Sequence, residues 1–326
     1  MTRERWWIDL LAQRFGREGP GIEVGIGSDC AILATAPGKT VVSTDALVEG
    51  IHFDLRMMDL ADAGFRAAAT SLSDLAAAGV DPKRPILAFL SVALSDELRE
   101  VELEGLADGF EQAFRAFGVR LAGGDTVSTF GPLTLCLTVI GYADRPMTRV
   151  GARGGHRVFV AGTLGGAGAG LALLKSGDAA DHDRDLVDAY RRPKPLIAVG
   201  AALADLGASA CADISDGLLA DAGHIAEESG VAMELDLDAL PLHPALAGHH
   251  GFSDDDRVRL AATHGDDYAL VFTVPSEQEA EIESAAHLHG WPCVRIGVCT
   301  AGPPGKVMAT LRRRPYEPEQ RGYEHD

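Results

Sequence analysis

The chain has 326 residues, of which 46% are hydrophobic, 6% aromatic and 24% charged. This length exceeds what one ordinary core accommodates, so we expect two domains of α/β type. The 48 acidic and 29 basic residues give a net charge of −19. Such a surface repels nucleic-acid phosphates and anionic lipids, so neither nucleic acid nor a membrane is an expected partner.

No segment approaches the roughly 20 consecutive apolar residues that span a bilayer. The first seven residues lack the apolar core and the cleavage site of a signal peptide, so we expect a cytoplasmic protein. None of the five cysteines forms a Cys-x-x-Cys pair. This spacing favours buried, reduced thiols over a disulfide or a zinc site.

In chain order, the first half alternates helices and strands. The patterns predict a helix over 4–17, a buried strand over 40–42 that ends in Ser43-Thr44-Asp45, a helix over 59–79, a strand over 86–94, a helix over 96–117, and strands over 119–126 and 133–140. The pattern breaks at 145–151, which places the domain boundary between residues 146 and 147.

The second half resumes the alternation. We predict strands over 157–161, 231–237 and 293–299, a strand in the run from Ala210 whose end carries Asp213 and Asp216, and a turn into a strand over 264–272. Helices are predicted over 196–206, 254–263 and 276–289, and a charged, disordered tail from residue 316. The glycine-rich stretch 162–170 fits neither a P-loop nor a Gly-x-Gly-x-x-Gly motif. A glycine-rich entry into a helix is the better interpretation.

Six acids lie among small residues, and four of them are at or next to the end of a predicted strand. They are Asp29, Asp45, Asp74, Asp125, Asp213 and Asp216. Taken singly, each fits a polar turn or a solvated helix face. If they converge, their charges repel one another unless cations separate them. Ligation by Asp, Ser and Thr oxygens selects Mg²⁺ or Mn²⁺ over zinc. Several magnesium ions beside the bare backbone of Gly123-Gly124 suit a nucleoside triphosphate.

Five motifs carry a resemblance to a known family. They are Gly27-x-Asp29, the run from Ser43 to Phe53 that contains Glu49-Gly50-x-His52-Phe53, Leu72-Ser73-Asp74-Leu75, Gly123-Gly124-Asp125-Thr126, and Asp213-Ile214-Ser215-Asp216-Gly217. In order over nearly the whole chain, they resemble the thiamine-monophosphate kinase family. That family belongs to the superfamily of aminoimidazole ribonucleotide synthetase, selenophosphate synthetase and a hydrogenase maturation factor.

The resemblance implies ATP-dependent phosphorylation of thiamine monophosphate to thiamine diphosphate by direct in-line transfer. It implies a two-domain fold in which N-terminal mixed sheets pair into a barrel across a homodimer. Residues 1–146 would bind metal and ATP and dimerise, and the α/β sandwich-like residues 147–326 would complete the active site. The acceptor phosphate is already ionised near neutral pH, so no residue is expected to act as a general acid or base.

Site residues transfer by motif. The resemblance implies that several Mg²⁺ ions bind Asp29, Ser43, Thr44, Asp45, Asp74, Asp125, Asp213 and Asp216. ATP would contact Gly124, Asp125, Arg149 and Ser215, and thiamine monophosphate would contact His52, Asp266 and Tyr323.

Three positions depart from the family pattern. Ser28 stands where the family commonly has the first of two acids, and Asp326 stands where a terminal Phe is usual. Asp266 replaces a common Glu and is one methylene shorter, which bears directly on its expected contact with thiamine.

Two other functions compete with this one. The chain could be another ATP-using enzyme of the superfamily, similar to selenophosphate synthetase or the hydrogenase maturation factor, acting on a different acceptor. It could also be a non-catalytic protein that binds metal or nucleotide. The spread of the acids through two domains, rather than one acidic run, favours an enzyme.

Overall fold

Residues 3–27 and 30–323 are described by a computed structural model, in which the chain divides into two units. The first unit is Met1–Leu75 with Val80–Asp144, and the second is Ala76–Gly79 with Arg145–Asp326. Asp29 and the last three residues lie outside the described ranges. Within those ranges, no helix has both the length and the apolarity needed to cross a bilayer.

The first unit packs helices against a four-stranded mixed sheet. Its elements are α1 (Arg3–Phe15), β1 (Ile22–Val24), β2 (Ile32–Leu33), β3 (Lys39–Val48), α2 (Leu60–Ala77, of which the last two residues group with the second unit), β4 (Ile86–Ser95), α3 (Glu100–Phe117), β5 (Val119–Thr129) and β6 (Thr134–Ala143). The main sheet has the order β3-β6-β4-β5, with β4 and β5 parallel and the other pairs antiparallel. Asp59 starts α2 because its Oδ1 accepts the N–H of Asp62 at 2.7 Å.

One face of this sheet is buried and the other is open, which corrects two sequence-based expectations. Val41 is half-buried but Val42 is 58% exposed, so the predicted strand is not buried on both sides. Strand β3 also continues to Val48 and β5 to Thr129. Asp45 and Asp125 therefore lie within strands rather than at their ends, because the polar residues that suggested a turn occupy alternate faces of a half-covered sheet.

The second unit is built on a seven-stranded sheet of order β13-β12-β9-β11-β7-β10-β8. Its strands are β7 (Arg157–Ala161), β8 (Ala210–Asp213), β9 (Ala232–Asp236), β10 (Leu270–Val274), β11 (Cys293–Thr300), β12 (Val307–Leu311) and β13 (Arg314–Tyr316). Its helices are α4 (Gly166–Ser176), α5 (Arg184–Arg191), α6 (Ile197–Asp205), α7 (Leu218–Ser229), α8 (Pro244–Ala247), α9 (Asp254–Thr263) and α10 (Glu279–His289).

The prediction of a disordered tail from residue 316 is wrong as far as Tyr323. Tyr316 closes the hairpin of β12 and β13, which was missed because both strands are short and β13 contains Pro315. Further on, the Tyr323 N–H donates to the Asp216 carbonyl at 2.9 Å. The charged composition of this segment does not reveal backbone contacts made with residues 100 positions earlier.

The glycine-rich stretch is a helix entry, as the sequence predicted. Gly165 adopts φ 81° just before α4. Asp267 then satisfies the start of the helix, because its carboxylate accepts the N–H groups of Gly165 at 2.6 Å and Ala167 at 3.1 Å. A carboxylate of the chain itself thus occupies the position where a P-loop holds phosphate.

All five cysteines are free. Cys30 is exposed, whereas Cys211 and Cys299 are buried, so the expectation of buried thiols holds only in part. Burial raises the pKa of Cys299 to about 11 and, together with Glu283, that of Cys293 to about 12. These two thiols are poor nucleophiles at neutral pH because little thiolate is present.

Two glycine-to-alanine substitutions within helices should change stability in opposite directions. At Gly170, an added Cβ would lie 2.0 Å from the Leu186 carbonyl oxygen, and overpacking of about 1–3 kcal/mol should exceed the helix-propensity gain of about 1 kcal/mol. Gly105 has room, because the nearest atom would be 3.9 Å away. Urea unfolding should show a destabilised Gly170→Ala and a Gly105→Ala stabilised by about 0.5–1 kcal/mol. Equal effects would contradict the packing of α4.

Candidate active site

Three of the predicted residues meet on the buried face of the first sheet. Ser43 on β3 donates its hydroxyl to Oδ2 of Asp74 on α2. Burial and the neighbouring charge of Asp74 raise the pKa of Asp45 to about 6, against a hydrogen bond from Ser71 that lowers it. Two carboxylates and two hydroxyls therefore form an oxygen-rich cluster, which we call the β3–α2 cluster (Ser43, Asp45, Ser71 and Asp74).

Thr44 and Asp125 lie on the opposite face of the same sheet. The Thr44 hydroxyl is 3.0 Å from that of Thr138, and Asp125 faces Ser91 across the β4–β5 pair. Successive strand residues point to opposite faces, so Thr44 does not share the face of Ser43 and Asp45. Within the first unit, the structure brings together Ser43, Asp45 and Asp74 but not Thr44 or Asp125.

Gly124 lies at the far edge of the sheet from Asp45. The two residues belong to one cross-strand row, Asp45–Leu137–Leu90–Gly124. Three strand spacings of about 4.8 Å separate them by about 14 Å. Glycine is required at this position because a Cβ would lie 1.9 Å from the Leu90 carbonyl oxygen.

His52 occupies the turn after β3 with a defined tautomer. The ring Nδ1 of His52 accepts the Val48 N–H at 3.1 Å, and the backbone N–H of His52 donates to the Val48 carbonyl at 2.9 Å. Since Nδ1 is an acceptor, the neutral imidazole carries its proton on Nε2. The ring can therefore donate a hydrogen bond from Nε2 to an anionic oxygen.

In the second unit, backbone hydrogen bonds join the other predicted residues around one turn. Asp213 ends β8, and Ser215 and Asp216 follow it before α7. The Asp266 N–H donates to the Ser215 carbonyl at 2.9 Å, and the Tyr323 N–H donates to the Asp216 carbonyl at the same distance. Residues from two distant parts of the sequence therefore contact this β8–α7 turn (residues 213–217).

The two acids of the turn before β10, Asp266 and Asp267, contact different parts of the second unit. Asp267 points inward to the start of α4, whereas Oδ1 of Asp266 accepts the Tyr268 hydroxyl at 3.1 Å. Asp266 and Tyr268 have φ values of 70° and 49°, a left-handed backbone that is uncommon for residues other than glycine. Such conformations persist where the surrounding structure imposes them, often in ligand-binding segments.

Arg149 is held through its backbone by the far end of α7. The Ser229 hydroxyl donates to the Arg149 carbonyl at 2.8 Å and accepts the N–H groups of Gly151 and Ala152, each at 3.1 Å. The C-terminus of helix α7 thus holds the segment that carries Arg149, and the N-terminus of the same helix follows the β8–α7 turn.

Sequence reasoning missed the residues that support the site. Ser71, Ser229 and Tyr268 contact the predicted residues Asp45, Arg149 and Asp266 through hydrogen bonds. Ser71, three positions before Asp74, was the only one with a usable signal, because residues three apart share a helix face. The others act across long sequence separations that no local pattern encodes.

The two units match two parts of one protein family. Residues 27–143 match the family described as AIR synthase related protein, N-terminal domain, and residues 153–310 match its C-terminal domain. The fold is therefore that of an AIR synthase related protein.

Full-length relatives define the family more narrowly. A thiamine-monophosphate kinase of Salmonella typhimurium is 39% identical over 328 residues, which cover 98% of this chain and 97% of that relative. The enzyme of Bacillus subtilis is 31% identical, covering 93% and 94%. A thiamine-monophosphate kinase structure from Stenotrophomonas maltophilia has a TM-score of 0.82 at 34% identity, covering 93% and 95%. The chain belongs to the thiamine-monophosphate kinase family.

The raised pKa of Asp45 predicts a pH-dependent stability in metal-free protein. Its folded pKa of about 6 exceeds the ordinary value of 3.8, so the protonated form is favoured by folding. The stability that Asp45 contributes to the folded protein is fully present below about pH 3.8 and is lost as the pH rises through 6. Without metal, the difference in unfolding free energy between wild type and Asp45→Asn should therefore shift against wild type between pH 4 and pH 7. A difference that is constant with pH would contradict the proximity of Asp45 and Asp74.

Proposed function

We propose that this chain transfers the γ-phosphoryl group of ATP directly to thiamine monophosphate and so forms thiamine diphosphate. The observation that carries the proposal is the full-length similarity to relatives named for this activity. A solved structure described as AaThiL complexed with AMPPCP and TMP is 27% identical, with a TM-score of 0.77 and 99% of both chains covered. That protein binds an ATP analogue together with the phosphate acceptor.

The residues of the β3–α2 cluster fit a hard divalent cation. Asp45 and Asp74 place two carboxylates close enough for the charge of Asp74 to raise the pKa of Asp45. A bound cation would relieve that repulsion, and ligation by carboxylate and hydroxyl oxygens suits Mg²⁺. When bound, Mg²⁺ neutralises phosphate charge.

We extend the metal proposal to the full set taken from the motifs. It comprises Asp29, Ser43, Thr44, Asp45, Asp74, Asp125, Asp213 and Asp216. For Thr44, whose hydroxyl faces Thr138, the proposal requires a metal distinct from that of Ser43 and Asp45.

The polar groups of both units suit two phosphorylated substrates. The bare backbone of Gly124, together with Asp125, Arg149 and Ser215, would hold ATP, with the Arg149 guanidinium contacting phosphate. His52 can donate from Nε2 to the thiamine phosphate, and Asp266 and Tyr323 would complete the acceptor site. Alignment of the two phosphates and charge neutralisation would supply the rate, without an acid or base of the protein.

Other members of the superfamily provide the main alternative. Solved structures of the hydrogenase maturation protein HypE match at only 20% identity, with a TM-score of 0.74 for its ATP complex, and this likeness shows the fold alone. The run from Glu49 to Phe53 instead favours the thiamine enzyme. The acids are spread through both units rather than gathered in one acidic run, and this favours an enzyme over a non-catalytic binding protein.

A turnover assay tests the activity. With ATP, Mg²⁺ and thiamine monophosphate, the protein should form ADP and thiamine diphosphate in equal amounts. Asp45→Asn and Asp216→Asn should each lower kcat/KM by about 100-fold or more, since each removes a carboxylate proposed to hold the Mg²⁺ that would neutralise the charge of the transferred group.

Asp205→Asn is the matched control, because Asp205 is an exposed acid at the end of α6, and it should retain wild-type turnover. Formation of AMP, or no turnover by the wild type, would favour another enzyme of the superfamily. Full activity in both site variants would refute the metal assignment.

We also propose that the open face of the first sheet pairs with a second copy to form a barrel across a homodimer. Val42 and Val127 are 58% and 52% exposed on the edge strands β3 and β5. Burial of this apolar area between copies would remove it from water.

Sedimentation equilibrium tests the dimer. The wild type should sediment at about twice the chain mass of 34.3 kDa, and Val42→Asp should shift it towards monomer because it places a charge in the interface. Val101→Asp, at an equally exposed valine on α3, should remain dimeric. A monomeric wild type would exclude the barrel.

A further inference from the structure

Helix α7 begins without the usual side-chain cap. Its N-cap residue is Gly217, which adopts φ 130° and ψ 146° and has no side chain to accept the first N–H groups. A larger residue does not fit, because a Cβ would lie 2.8 Å from the Thr263 carbonyl oxygen. The N–H groups of the β8–α7 turn therefore need an acceptor from elsewhere.

Asp221 supplies that acceptor from inside the helix. Its Oδ2 accepts the N–H groups of both Asp216 and Gly217, each at 3.1 Å. The side chain is completely buried. One oxygen of a buried carboxylate therefore holds the two peptide groups that flank the α-carbon of Asp216.

This arrangement costs more than helix capping requires. In the same unit, α9 starts with Ser253, whose hydroxyl accepts the Asp256 N–H at 3.1 Å, and such a neutral cap stabilises a helix without burying a charge. A buried carboxylate instead carries a desolvation penalty unless it is well compensated. Among the described residues, Oδ1 of Asp221 has no hydrogen-bond partner within normal distance, and Nδ1 of His224 lies 3.6 Å from it.

The carbonyl side of the same turn is fixed as well. The Ser215 carbonyl accepts the Asp266 N–H, and the Asp216 carbonyl accepts the Tyr323 N–H. With Asp221 on the N–H side, both peptide planes around Asp216 are set. The Asp216 carboxylate then lies so that it, Asp221 and Nδ1 of His224 offer ligand atoms within 4.8 Å of one another.

We propose that Asp221 is a positioning residue that holds the β8–α7 turn so that the Asp216 carboxylate can bind the divalent cation accompanying ATP. The inference rests on the proposed function for the role of Asp216. Asp221 acts through the backbone and is not itself a ligand. Its negative charge also adds to the field that attracts a cation to Asp216.

Two substitutions separate the parts of this role. Asp221→Asn keeps an oxygen that can accept both N–H groups, whereas Asp221→Ala removes it. Ser253→Ala is the matched control, because it removes an N-cap of the same unit that contacts none of the site residues. Mn²⁺ alone, titrated by electron paramagnetic resonance, and hydrogen exchange of the amides of Asp216 and Gly217 provide readouts that need no turnover.

For Asp221→Ala we expect faster exchange of these two amides and a 10–100-fold higher dissociation constant for Mn²⁺, the range typical of residues that orient ligands. In turnover, the Mg²⁺ concentration for half-maximal activity should rise by a similar factor, with a smaller change of kcat at saturating Mg²⁺. Asp221→Asn should retain most of the Mn²⁺ affinity and the amide protection that Asp221→Ala loses. Ser253→Ala should lower stability only.

Three results would overturn the proposal. The first is unchanged Mn²⁺ binding in Asp221→Ala. The second is a loss of Mn²⁺ binding in Asp221→Asn as complete as in Asp216→Asn, which would make Asp221 a ligand. The third is a loss of Mn²⁺ affinity in Ser253→Ala equal to that in Asp221→Ala. If Asp221→Ala does not fold, Asp221→Asn should still show retained exchange protection with a modest loss of Mn²⁺ affinity, and no loss at all would refute the role. A wild type without thiamine-monophosphate kinase activity would refute the proposed function, while the Mn²⁺ and exchange results would still decide the role of Asp221.

Discussion

The approach of Asp45 to Asp74 on the covered face of the first sheet is the constraint that gives this structure its chemical character. Desolvation and mutual repulsion both disfavour two charges in this position, and the pKa of Asp45 is raised accordingly. The hydroxyls of Ser43 and Ser71 offset only part of this cost. A fold that keeps such a pair retains a local instability, which the cation proposed above would relieve when bound.

Elsewhere the chain's own backbone supplies hydrogen bonds to two carboxylates. Asp267 accepts N–H groups at the start of α4, and Asp221 accepts those of the β8–α7 turn. These carboxylates have internal partners and organise the segments around them. The acids therefore fall into two groups: those that accept peptide N–H groups and organise nearby segments, and those of the β3–α2 cluster, whose carboxylates lie close to one another.

Close backbone approach is the second device that shapes the site. Gly124 lies against the Leu90 carbonyl, and Gly265 would place a Cβ 2.0 Å from the Ser215 carbonyl oxygen. The contact at Gly265 lets the turn that carries Asp266 reach the β8–α7 turn. The glycines of α4 serve packing in the same way, because Gly170 lies against Leu186 of the neighbouring helix. The high glycine content of this chain thus reflects tight contacts between segments, as well as turns.

By itself, the sequence determined the alternation of helices and strands, the family, and the identity of the acids, because periodicity and short motifs are local properties. Helix α9 and strand β7 have the predicted bounds, 254–263 and 157–161. Only the tertiary structure decided which acids meet. Thr44 lies on the open face of the sheet, whereas Ser43 and Asp45 lie on the covered face. The hydrogen bond from the Tyr323 N–H to the Asp216 carbonyl holds a segment whose composition predicts disorder. Strand pairing, burial and long-range hydrogen bonds depend on residues far apart in the chain, so no local pattern contains them.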